Sequence, residues 1–115
     1  MNERPRRNRK SSSIPDLVRE TELRLSDFIY PMFLVDGQGI EIPIPSMPGI
    51  ARYSEDLMLR QIEECLNLGL RNFVIFPAVE DHLKDKEATY AMRHDNFYLR
   101  TIRSIKQRFP EVCLM

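Results

Sequence analysis

The sequence predicts an α/β fold with a parallel sheet, in the order strand, helix, strand, helix, strand. Three runs are apolar throughout, Phe28–Val35, Phe73–Val79 and Val112–Met115, as strands covered on both faces of a parallel sheet are. Between them, Ser54–Gly69 and Asp95–Pro110 carry apolar residues at helical spacing on one face only, the pattern of a helix laid on a sheet. Their alternation is that of right-handed crossovers. A chain of 115 residues, 43% hydrophobic and 30% charged, holds one domain with a packed core. Lys plus Arg and Asp plus Glu number 17 each, so zero net charge gives no global pull toward nucleic acid or anionic lipid.

The first ten residues hold Arg4, Arg6, Arg7, Arg9 and Lys10 against Glu3 alone. No aliphatic or aromatic residue lies between Asn2 and Ser13, so nothing offsets an ordering cost of roughly 1–2 kcal/mol per backbone residue. This is expected to be an arm that makes little contact with its own chain, leaving Arg6 and Arg9 clear of the core. It lacks the interleaved aromatics of a nucleic-acid surface. It also lacks the apolar stretch of a secretion signal, and no run approaches the roughly 18 apolar residues of a membrane span. Arg and Ser suit a transit peptide, but Glu3 and Asp16 weigh against one, and the reading is cytoplasmic. Ser13 is expected to cap a short helix over Ile14–Glu22, with Pro15 in its first turn and Asp16 facing its positive end.

The first strand is expected to begin near Pro31, which donates nothing to a ladder, and to end at the turn Asp36-Gly37-Gln38-Gly39. Pro43, Pro45 and Pro48 mark Ile40–Tyr53 as an extended ribbon with a turn at Met47-Pro48-Gly49. Ser54 caps the first long helix, with Glu55 and Asp56 in its first turn. Met58, Ile62, Cys65 and Leu66 form its buried face, and Gly69 ends it. A long polar connection, Glu80 to Asp95, follows the second strand. Asp95 is the expected cap of the last helix, with Tyr98, Ile102, Ile105 and Phe109 as its stripe. Arg100, Arg103, Lys106 and Arg108 complement its C-terminal end, and Pro110 stops it. The expected sheet runs one, two, three, with strand two central, both helices on one face and both outer strands unpaired on one side. The other face, with Phe33, Val35, Val74 and Phe76 or their alternating partners, is expected to be open and apolar.

Parallel α/β folds bind ligands beyond the C-terminal ends of their strands. The Asp36–Gly39 loop matches neither G-x-G-x-x-G nor G-x-x-x-x-G-K-[ST], and reads as a plain turn. Glu80, Asp81, His82, Lys84, Asp85, Lys86 and Glu87 hold carboxylates beside a histidine, a set able in principle to ligate a metal or move protons. Such a run is more simply a solvated charge cluster. His94 reads as structural. Cys65 and Cys113 read as buried thiols rather than a disulfide framework. No Ser-His-Asp set and no Cys-x-x-Cys stands out, and no catalytic, cofactor-binding or metal residue is assigned.

Whole segments carry a resemblance. Arg4-Pro5-Arg6-Arg7 precedes Leu17-Val18-Arg19-Glu20-Thr21, and Leu25-Ser26 leads into Phe28–Phe33. Ser46-Met47-Pro48-Gly49-Ile50, Leu68-Gly69-Leu70, Phe76-Pro77 and Lys84-Asp85 follow, then Ile102-Arg103-Ser104-Ile105-Lys106 with Phe109-Pro110. In this order and spacing the chain resembles the porphobilinogen synthase (δ-aminolevulinic acid dehydratase) family along nearly its whole length. It departs at Ala88, where the family usually has Gly four residues after the Lys of the Lys-Asp pair.

The resemblance implies a hydro-lyase condensing two molecules of 5-aminolevulinate into porphobilinogen, in haem and chlorophyll synthesis. It implies a TIM (β/α)8 barrel, with residues 1–24 as a basic N-terminal arm with a short helix and 25–115 as the βαβαβ portion of an incomplete barrel. Zinc or magnesium is implied for the full-length family and none for this chain. A homo-oligomer assembled through the arm, an octamer in the family, is implied as well. The lysines that form Schiff bases lie in later strands of the family, so the chain alone is expected to be inactive, and Lys84 and Lys86 are not promoted to that role. Two other readings compete. One is a small α/β protein-interaction domain. The other is a nucleotide-binding half-domain, disfavoured by the missing Gly-rich loop.

Overall fold

The structure, a computed structural model, describes residues 11–115, so the expectation for Arg6 and Arg9 falls outside the described residues. Helix α1 (Ser13–Leu17) comes first, followed by a 3-10 turn at Leu25–Asp27. Then come β1 (Tyr30–Leu34), β2 (Glu41–Pro43), β3 (Ala51–Tyr53), α2 (Glu55–Asn67), β4 (Asn72–Pro77), α3 (Phe97–Arg108) and β5 (Cys113–Leu114). The five strands form one mixed sheet in the order β2-β3-β1-β4-β5.

The parallel centre is as expected. β1 and β4 pair over five residues, from Tyr30 opposite Phe73 to Leu34 opposite Pro77, and β5 pairs parallel to β4. The expected bare outer edge of β1 is corrected. The Ile40–Tyr53 ribbon is an antiparallel hairpin, and its second strand joins β1 in parallel through Phe33–Arg52 and Leu34–Tyr53. Hairpin formation supplies the missing partners: the Val35 amide donates to the Tyr53 carbonyl at 3.0 Å. Only the C-terminal part of β1 is covered. Pro43 lies on the outermost strand, where its lack of a donor costs least.

Both long helices lie on one face. Met32, Leu34, Phe73 and Ile75 from the sheet, Met58 and Ile62 from α2, and Phe97 and Ile105 from α3 form one buried cluster with Phe109 and Val112. Truncating a side chain such as Ile105, fully buried, removes about 2–5 kcal/mol. Lys106 closes the end of α3, donating from Nζ to the Pro110 and Val112 carbonyls at 2.8 and 2.7 Å. Gly69, at φ +93, takes the left-handed position after α2, and the Leu70 amide donates back to the Cys65 carbonyl.

Three local expectations are revised. α1 ends at Leu17 instead of Glu22 and Ser12, not Ser13, holds its N-cap position; a helix this short with no buried residue has nothing to offset nucleation. Asn96, not Asp95, caps α3; Phe97 and Thr101 are buried where Tyr98 and Ile102 were expected, while Ile105 and Phe109 are buried as expected. Asp95 pairs instead with Arg93 at 2.9 Å. Cys65 is half-buried and Cys113 exposed. Strand alternation explains the second: Val112 is buried and Leu114 packs on the core, so Cys113 points to the opposite face.

That opposite face is open, as expected. Phe33, Val35 and Val74 are half-buried there and Phe76 is 47% exposed. The Phe33 and Phe76 rings stack with centroids 5.6 Å apart.

Candidate functional site at the strand C-terminal ends

The Asp36–Gly39 turn that follows β1 is tied to the start of α2. Ser54 is the N-cap residue, buried, but its hydroxyl bonds none of the helix amides. Instead Oγ accepts the Ile40 N–H at 2.9 Å and donates to the Asp56 carboxylate at 2.6 Å. The other contacts of Asp56 fall on the Gly39 N–H at 3.0 and 3.1 Å. The Ser54 hydroxyl, and after it the Gly39 amide, hold the Asp56 carboxyl below its ordinary range. Asp36 receives Arg100 of α3 at 3.2 Å. The turn's amide donor is therefore spent within the chain, which agrees with a plain turn rather than a phosphate cradle.

The connection from β4 to α3 keeps Glu80, Asp81, His82, Lys84, Asp85, Lys86 and Glu87 exposed, as a solvated charge cluster does, and is folded as well. Two 3-10 turns, Asp81–Leu83 and Thr89–Met92, fold it over an apolar cleft of ≈ 370 Å³. Val79, Leu83, Tyr90, Ala91, Tyr98 and Leu99 line that cleft. The Asp85 carboxylate accepts the Thr89 N–H at 2.8 Å, which lowers its pKa and fixes the second turn. Ala88 sits at φ +53, ψ +39. This is a left-handed conformation that glycine adopts freely and alanine adopts at a cost of about 1–2 kcal/mol. The departure noted in the sequence thus falls on a residue whose backbone asks for Gly.

Asn96 anchors the end of the connection, 4% exposed. Its Oδ1 accepts the Leu99 N–H at 2.8 Å, and its Nδ2 donates to the carbonyls of Arg93 at 2.9 Å and Ala91 at 3.2 Å. One side chain therefore caps α3 and latches the loop.

The candidate charged residues of this loop are distributed outward. His82 Nδ1 lies 3.1 Å from Glu80, and Lys84 Nζ 2.7 Å from Asp81, whose carboxyl that ammonium holds low. His94 contributes its carbonyl to Arg103 at 3.3 Å. Among the described residues no three His, Cys, Asp or Glu side chains come together as metal ligands. The groups present here do not fit a zinc or magnesium site.

A second concavity of ≈ 460 Å³ opens at the C-terminal ends of β1, β3 and β4. Val35, Ile42, Arg52, Val79, Asp81 and Lys84 are among its lining residues. The sequence reading passed over Arg52 and Asn96. Ala51-Arg52-Tyr53 carried a strand alternation too short to recognise, and Asn96 stood one place beyond an equally plausible cap. No described helix is long and apolar enough to cross a membrane.

Comparison with known proteins gives a consistent result. The delta-aminolevulinic acid dehydratase family model matches residues 2–115. A delta-aminolevulinic acid dehydratase of Chlamydia pneumoniae is 43% identical over 115 residues, covering 100% of this chain and 35% of the relative. A chloroplastic protein of the same description from Chlamydomonas reinhardtii is 38% identical over 111 residues, 95% of this chain and 28% of its own length. Among solved structures, delta-aminolevulinic acid dehydratase (porphobilinogen synthase) from Toxoplasma gondii ME49, in complex with the reaction product porphobilinogen, superposes with TM-score 0.91 at 38% identity. That superposition covers 99% of this chain and 32% of the other. The chain spans about a third of the length of the relatives it matches.

Proposed function

The chain belongs to the delta-aminolevulinic acid dehydratase family, and on that premise we propose that it supplies the opening part of a porphobilinogen synthase. In this reading residues 25–115 are the first strands and helices of a (β/α)8 barrel, and residues 1–24 are an arm that grips a neighbouring subunit. The whole protein then condenses two molecules of 5-aminolevulinate to porphobilinogen in tetrapyrrole synthesis, in the cytoplasm.

The observation that carries this is the superposition on a product complex over 99% of the chain. Two features of the fold support it. Both long helices cover one face of the parallel strands, as in a barrel wall, and the opposite face holds Phe33, Val74 and Phe76 with no covering element among the described residues. Leu17 and Leu23, 83% and 79% exposed, are apolar contacts that the described fold leaves unused, as an arm reaching another subunit would.

The chain by itself is proposed to be inactive. Schiff-base chemistry needs a desolvated lysine, and Lys84, Lys86 and Lys106 are all exposed, with Lys84 ion-paired. Zinc or magnesium is assigned to the whole enzyme through ligands that the described residues do not supply. Incubation of the purified chain with 5-aminolevulinate and either metal tests this: no porphobilinogen above blank is expected, and turnover in a preparation free of host enzyme refutes it. A second reading, an α/β protein-interaction domain, draws on the same open face. It is favoured if the chain is a monodisperse monomer that unfolds cooperatively.

A further inference from the structure

The cleft beneath the β4–α3 connection lies on the helix-bearing side of the sheet, away from the open face. Val79, Tyr90 and Tyr98 line it and also pack against the buried cluster between sheet and helices. Pro77, Val79 and Lys84 line the strand-end concavity as well, so the two are neighbours across the end of β4. Leu83, Ala91 and Leu99 continue the apolar wall, and the volume of ≈ 370 Å³ falls in the ordinary range of small-molecule pockets.

Its polar groups are of two kinds. The Tyr90 and Tyr98 hydroxyls enter no hydrogen bond among the described residues, and neither is shut off from solvent. The charges beside them are balanced and already engaged. Lys84 pairs with Asp81 at 2.7 Å, and Asp85 accepts the Thr89 N–H at 2.8 Å.

We propose that this cleft binds a small neutral aromatic molecule carrying a hydroxyl or comparable hydrogen-bonding group. The two tyrosine rings favour an aromatic occupant through edge-to-face or offset contacts. Their hydroxyls, each able to give or accept a hydrogen bond, meet its polar group. A charged ligand would surrender its water without finding a free counter-charge. The walls come from the connection and from α3, so the occupant bridges the loop to the helix on which Asn96 already latches it. The site is built from this chain's own residues and does not rest on the activity proposed above.

Ligand-observed saturation-transfer NMR on the full chain tests it, and tolerates self-association. The probes are phenol, cyclohexanol, benzoate and benzylamine. Phenol is expected to saturate with a dissociation constant on the order of millimolar. Cyclohexanol, which lacks the aromatic ring, should bind roughly two- to tenfold more weakly. Benzoate and protonated benzylamine, each with a charge to desolvate, should bind at least about fivefold more weakly. Ala91→Phe, at an exposed position, fills the cleft and should lower phenol binding by at least about fivefold as well. Phe76→Lys, on the open face, should bind phenol as the parent does. Equal binding of phenol and any other probe, or loss of phenol binding in Phe76→Lys, would overturn the assignment. So would full binding by Ala91→Phe with an unchanged circular dichroism spectrum. If a second copy of the chain fills the cleft instead, phenol will not bind the parent and Ala91→Phe will shift sedimentation toward monomer, which also overturns it. Should Ala91→Phe fail to fold, the four probes on the unmodified chain and the Phe76→Lys control decide. No turnover is read, so a negative result leaves the family reading standing.

Discussion

Replacing Asn96 by aspartate separates a plain helix cap from a latch. At an ordinary N-cap the two residues are about equal, and the aspartate charge gains about 0.3–1 kcal/mol from the helix N-terminus. Here Asn96 is 4% exposed and uses both ends of its amide. Aspartate keeps the acceptor for the Leu99 N–H but loses the donors to the Arg93 and Ala91 carbonyls. Those two bonds contribute about 0.5–1.5 kcal/mol each, and a charged oxygen on the buried side chain set against the two carbonyls adds about 1–3 kcal/mol. The net expectation is a loss of about 1–6 kcal/mol for Asn96→Asp, centred on about 3. Asn96→Ala should lose about 2–3 kcal/mol, from the cap and the two unpaired carbonyls. Urea unfolding followed by circular dichroism, at one protein concentration for all variants, gives the order. Hydrogen exchange over residues 89–99 should show the loop released in both. An Asn96→Asp chain as stable as the parent, with an equally protected loop, would refute the latch.

Ala88→Gly should raise stability by about 0.5–1 kcal/mol, relieved left-handed strain outweighing the greater freedom of the unfolded chain, read as a higher urea midpoint. Asp56, its carboxyl held low in the fold, should favour the folded state above the ordinary carboxylate range and lose that contribution as pH falls through its folded value. The midpoint difference between parent and Asp56→Asn should therefore be present at neutral pH and close in acid; a pH-independent difference would contradict this. The open face should drive self-association, so Phe76→Lys, at a position 47% exposed, should shift the sedimentation distribution toward monomer without lowering helix content.

The core of the fold was legible because two periods are written plainly into the chain. Unbroken apolar runs marked β1 and β4, and the Met58–Ile62 spacing marked the buried face of α2, because burial on both faces or on one leaves a composition signature. The hairpin was only half legible. Ile40, Ile42 and Ile44 announced extended backbone, but β2 and β3 span three residues each, too few to fix a register, and the β3–β1 pairing is a tertiary event. Asp95 and Asn96 are equally good caps in sequence. The choice falls to Asn96 because only an amide serves both the helix amide and the loop carbonyls, while Arg93 claims Asp95.

Reconstitution tests the proposed role most directly. The chain is mixed with a Chlamydia pneumoniae relative lacking the third that this chain matches, with metal and 5-aminolevulinate supplied. The expected result is a stable complex in which strand residues 31–35 and 73–77 gain hydrogen-exchange protection, together with porphobilinogen formation that neither chain gives alone. A chain that stays a cooperative monomer, never binds the remainder and keeps those strands' exchange unchanged would contradict the barrel reading and favour an independent interaction domain.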